Sequence, residues 1–94
     1  MADRAPEGDA VAAGPRVTVM TRQGCPPCHT MQAEVQRICA ELGQSWTVID
    51  VDTDPRLRAA YGDRVPVILV DGAELGSWTL DEPQLRAALL GDGG

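Results

Sequence analysis

Pro26 and Pro27 stand side by side between Cys25 and Cys28 in the stretch TRQGCPPCHTM, residues 21–31. Neither proline has an N–H to give, so neither a strand ladder nor a helix interior runs through them. Both hold φ near the helical value, and the first turn of a helix accepts them without losing a hydrogen bond. A helix can therefore begin at this point. The flanking residues agree: RVTVMT (16–21) alternates Val17 and Val19 with polar neighbours, as a strand does. From Pro26 to Leu42 the apolar residues Met31, Val35, Ile38, Cys39 and Leu42 form a helical stripe, which Gly43 stops.

WTVIDV (46–51) reads as a second strand. Thr53-Asp54-Pro55 supplies a capping acid and then proline, so a short helix is expected through Tyr61, closed by Gly62. PVILVDG (66–72) is almost unbroken in aliphatic residues, as a strand covered on both faces would be. Asp71-Gly72 is a hairpin signal, with AELGSW (73–78) as the returning strand. Asp81-Glu82-Pro83 opens a last helix carrying Leu85, Ala88 and Leu89, before GDGG. The order βαβαββα has no internal repeat. It requires a right-handed crossover with parallel pairing in its first half and an antiparallel hairpin in its second. The expected fold is α/β, a four-stranded mixed sheet flanked by helices, over residues 15–91. Residues 1–14 mix small, charged, Pro and Gly residues without a period, and a disordered tail is expected there.

A chain of 94 residues holds one domain of this kind. Trp46, Tyr61 and Trp78 are its only aromatic residues, so the core must be aliphatic. Fourteen acids against eight arginines, with no lysine, leave a net charge of −6. That field repels phosphates and anionic headgroups, which argues against nucleic acid and membranes as partners. The longest aliphatic run, Val67 to Val70, is far too short to cross a bilayer. No basic start followed by an apolar stretch marks a secretion signal, and a cytoplasmic monomer is expected. In a reducing cytoplasm three cysteines point to catalysis or metal binding rather than to a disulfide framework.

Thiolate is the nucleophilic form of cysteine, and a helix N-terminus favours it through the dipole and unpaired N–H groups. Cys25 sits at such a terminus. Cys28 lies one turn further in, where it is expected to be buried, so one thiol can attack and the other resolve. Arg22, three residues before Cys25, adds positive potential. The prolines cannot donate to a Cys25 thiolate, which leaves the amides of Cys28 and His29 and predicts a pKa that is depressed only moderately. Metal binding is the rival, because Cys25, Cys28, His29 and Cys39 are ligand types for zinc. On one helix, however, Cys28 and Cys39 are separated by ~16 Å of rise, beyond the reach of one tetrahedral ion or of a disulfide. Cys39 then reads as a small buried hydrophobe, and His29 as a solvated helix residue. A metal site would need a second chain.

CPPC (25–28) after a first strand, RVPVILVDG (64–72) and DGAELGSW (71–78) together resemble the thioredoxin-fold superfamily, most closely its glutaredoxin-like branch, over residues 16–91. The resemblance implies a thiol–disulfide oxidoreductase with a redox-active Cys25–Cys28 disulfide, Cys25 attacking and Cys28 resolving. It implies no bound cofactor or metal, and an external thiol or reductase as electron donor. It also implies a cis Val65–Pro66 bond against the cysteines, with Arg22, the Val65 backbone, Pro66, Gly76 and Ser77 meeting the substrate. Two departures stand out. Gly24 precedes Cys25 where thioredoxins place Trp, and Gly76-Ser77-Trp78-Thr79 replaces the Gly-Gly with following acids by which glutaredoxins grip glutathione. These argue against glutathione and leave a protein disulfide or another low-molecular-weight thiol as partner. A binding or sensor module on the same fold, or an iron–sulfur protein, remains the alternative.

Overall fold

In the computed structural model, which describes residues 15–90, Val17–Thr21 form strand β1 and Pro26–Leu42 helix α1. Trp46–Asp50 form β2, Pro55–Tyr61 α2, Val67–Val70 β3, Ala73–Ser77 β4 and Glu82–Leu90 α3. The sheet order is β2-β1-β3-β4. β1 runs parallel to β2 and antiparallel to β3, which in turn pairs antiparallel with β4. This is the expected four-stranded mixed sheet. The tail expected over residues 1–14, and everything after Leu90, lie outside the described residues.

Alternation along the central strands sorts their side chains onto two faces. Val17, Val19, Ile68 and Val70 point to the face where α1 brings Met31, Val35, Ile38 and Cys39, and α3 brings Leu85 and Leu89. Met20, Val67 and Leu69 point to the other face, against Val51 with Leu57 and Tyr61 packed alongside. All four residues of β3 are buried, which explains its unbroken aliphatic run. Cys39 sits within the first of these clusters.

Both ends of α1 are closed by the residues that punctuate the sequence. Cys25 is its N-cap and the prolines occupy its first two positions. At the other end Gly43 takes a left-handed φ of 68°, and its N–H and that of Gln44 both reach the Cys39 carbonyl. Gly62 closes α2 differently, with a right-handed φ of −54°. A Cβ there would lie 2.5 Å from the Arg58 carbonyl oxygen, so close approach rather than chirality calls for glycine. The Asp54 carboxylate accepts the Arg56 N–H at 2.8 Å and the Asp81 carboxylate accepts that of Gln84 at 3.1 Å, capping α2 and α3.

Two expected strand ends move. Val51 leaves β2 for a 3₁₀ turn over Val51–Thr53, because the Asp50 carboxylate captures the Asp52 N–H at 2.9 Å and curls the chain. Trp78 lies beyond β4, which ends at Ser77. Within β4 the register shifts between Ile68 and Leu69, which face Gly76 and Glu74, leaving Leu75 as the extra residue of a bulge. No described helix is long and apolar enough to cross a membrane.

Candidate redox site

The pairing registers bring three loops to one end of the sheet. Met20 lies opposite Val67 and Val67 opposite Ser77. The chain leaving β1 toward Cys25, the chain entering β3 through Val65 and Pro66, and the chain leaving β4 at Trp78 therefore converge. Of the residues singled out in the sequence, Cys25, Cys28, Val65, Pro66 and Ser77 meet at this end. Gly76, opposite Ile68, lies one residue further down the sheet. The Val65–Pro66 bond is cis.

Cys25 and Cys28 are joined as a disulfide, with Cα atoms 5.2 Å apart. Their surroundings differ. Cys28 is fully buried under α1, while Cys25 is half-exposed at the cap. The Cys28 N–H lies 3.2 Å from Cys25 Sγ, so the sulfur itself caps the helix. The His29 N–H, expected to be a second donor to that sulfur, instead reaches the Cys25 carbonyl oxygen at 3.3 Å. The Cys28 N–H is thus the one amide aimed at the sulfur, and it is shared with the Cys25 carbonyl oxygen, 3.1 Å away. The reason is the extended backbone of Cys25, φ −118° and ψ 96°, which turns its carbonyl into the first turn. The His29 side chain is exposed.

Arg22 does not present a free charge to the cysteines. Its Nε and Nη2 each donate to the Asp52 carboxylate at 3.1 Å, and its Nη1 donates to the Gly62 carbonyl at 3.3 Å. The guanidinium thereby ties the β1–α1 loop to the 3₁₀ turn and to the end of α2. Hydrogen bonding to Asp52 raises its already high pKa further. Cys39, far along α1 in the core, does not join the pair, and its burial pushes the thiol pKa up, away from reactivity.

Sequence reasoning did not place Trp78 or Glu34 at this end. The Trp78 N–H donates to the Pro66 carbonyl at 2.8 Å and the Thr79 N–H to the Ser77 carbonyl at 2.9 Å. With φ at 76°, Trp78 is the centre of the rare, strained form of the γ-turn. Trp78 is left 61% exposed. The sequence carries no local signal for this turn, because tryptophan is not a residue that takes positive φ easily. Beside Trp78 a groove of about 270 Å³ opens against α1, lined by Pro27, Thr30, Met31 and Glu34 on the helix and by Trp78 and Leu80 on the loop.

Residues 16–90 match the family model described as "Glutaredoxin-like domain (DUF836)". An uncharacterized protein of Mycobacterium tuberculosis is 42% identical over 78 residues, 78% of this chain and 80% of its own. A structural-genomics protein from X. campestris superposes with a TM-score of 0.64 at 34% identity, over 78% of this chain and 93% of that one. Fasciola hepatica thioredoxin superposes with a TM-score of 0.53 at 23% identity, over 79% of this chain and 76% of that one, a likeness of fold.

Proposed function

The chain belongs to the glutaredoxin-like domain family, and from that premise we propose that it is a thiol–disulfide oxidoreductase working through Cys25 and Cys28. The observation that carries the reading is the asymmetry of the pair. The half-exposed Cys25 sulfur is held by an N–H at the first turn of α1, and Cys28 is fully buried behind it.

In the reduced protein the Cys25 thiolate attacks one sulfur of a substrate disulfide. A Cys25–substrate bond forms, the substrate disulfide breaks, and the other half leaves as thiolate, to be protonated by solvent. The Cys28 thiolate then attacks Cys25 Sγ and expels the remaining thiolate. Two electrons have moved to the substrate, and the protein is left with the Cys25–Cys28 disulfide. An external thiol or reductase returns it to the dithiol, so no bound cofactor or metal is needed. The substrates are protein disulfides or mixed disulfides of a low-molecular-weight thiol, met by a monomer in the cytoplasm.

Glutathione is not the favoured thiol. Ser77 and Trp78 stand where the Gly-Gly would be, and Asp81 is occupied in capping α3 through the Gln84 amide. Val65 offers its backbone to an incoming extended peptide, which pairs with it as an added strand.

Trapping tests the reading. Cys28→Ser should accumulate a mixed disulfide with substrate on Cys25, visible by non-reducing electrophoresis and mass spectrometry, and Cys25→Ser should accumulate none. Adducts on Cys28 would reverse the roles. Failure of the dithiol protein to reduce any protein or small-molecule disulfide would leave a binding or sensor module.

A further inference from the structure

Ion pairing among the described residues leaves two carboxylates over, the exposed Asp63 and the half-buried Glu34. Glu41, Asp52, Asp71, Glu74 and Glu82 are paired with arginines. Asp50, Asp54 and Asp81 accept backbone amides. Glu34 is half-buried, makes neither kind of contact among the described residues, and lines the groove beside the disulfide. A half-buried carboxylate that makes no such contact among the described residues is open to a cation arriving from outside.

The rest of the groove supplies what a long cation requires. Pro27, Met31 and Leu80 are apolar and Trp78 offers a large exposed ring. The methylene stem of Arg or Lys covers apolar surface while its head stays polar, and the face of an indole attracts that head. Glu34 stands seven residues after Pro27 on α1, ~10 Å of helix rise. An extended peptide gains about 7 Å in two residues, and an arginine side chain covers the remainder.

We propose that this groove recognises a basic side chain on the substrate, so that the preferred partners are peptide disulfides carrying Arg or Lys within two residues of the reacting cysteine. The proposal rests on the redox reading and adds its substrate class. Glu34 and Trp78 set specificity and take no part in sulfur exchange. The net charge of −6 attracts the same partners from a distance.

The test uses three peptides of one sequence, with arginine, its neutral isostere citrulline, or glutamate two residues from a cysteine held as a mixed disulfide with 2-mercaptoethanol. The expected kcat/KM falls from arginine to citrulline to glutamate by roughly threefold to tenfold at each step. High salt narrows the gaps, and Glu34→Gln brings the arginine-to-citrulline ratio close to one. Equal rates on the three peptides, or a ratio that Glu34→Gln leaves unchanged, overturns the proposal. If no peptide is reduced, the redox reading fails and the groove is judged by binding alone. The same peptides with serine for cysteine are then titrated into the oxidised protein while the Trp78 indole N–H resonance is followed. Tighter binding of the arginine peptide, lost in Glu34→Gln, supports the groove, and equal binding of arginine and citrulline forms overturns it.

Discussion

Cys25 and Cys28 are three positions apart, yet one can be reached from solvent and the other cannot. Their spacing and the prolines between them were readable, because prolines fit a first helical turn and the apolar stripe after them marks the helix. The backbone angles of Cys25 were not readable, and they decide that one amide, not two, serves its sulfur. A single donor together with the helix dipole should hold the reduced Cys25 thiol below the ordinary cysteine value of ~8.5, by a modest margin. Titration of thiolate absorbance in the ultraviolet checks this, with Cys25→Ser as the blank, and an unperturbed value would remove the helix terminus from the account. Trp78 was legible only as an aromatic residue near the end of a strand. Its γ-turn follows from bonds to Ser77 and Pro66 that depend on how β3 and β4 are paired, and pairing is a tertiary fact. Glu34 was harder still, because a carboxylate on a helix gives no sign of standing apart from the arginines of the described residues until those have been placed.

At the scale of elements, local chemistry settled most boundaries. Pro26, Gly43, Asp54, Asp71-Gly72 and Asp81 each act where their residue types predict. Asp71 and Gly72 both take positive φ, 52° and 86°, as a tight hairpin turn demands. Where boundaries moved, a side chain outcompeted the ladder, as at Asp50, or an adjoining strand imposed a turn, as at Trp78. Gly43 offers a clean test, since an added Cβ would have no atom within 4 Å and only its left-handed φ matters. Gly43→Ala should cost about 1 kcal/mol, read as a lower denaturant midpoint with unchanged slope. The redox half-reactions should keep their rates, because the strain lies at the far end of α1 from the cysteines.

Over the whole molecule, Arg16 gathers elements that are distant in sequence. Its guanidinium holds the Asp71 carboxylate through two bonds, reaches Gln44 beyond α1, and donates to the Leu89 carbonyl of α3 at 3.1 Å. The hydrogen bonds from Arg16 hold the Asp71 carboxyl below its usual range, and those from Arg37 and Arg86 do the same for Glu82. A carboxyl depressed in the folded state adds stability that is present above its unfolded pKa, about 4, and lost as pH falls through the lower folded value. Stability should therefore decline as pH drops below about 4 to 5. Asp71→Asn keeps the turn preference, so it should lower the melting temperature at neutral pH and flatten that acid limb. Melting curves across the pH range check both.

The bond from Arg16 to the Leu89 carbonyl also means that the described chain enters and leaves at one pole. That pole lies a strand length, ~17 Å, from the loops that carry the disulfide. A tether or a fluorescent reporter fused at either side of residues 15–90 would stand behind the sheet, leaving the mouth of the groove open to a docking chain.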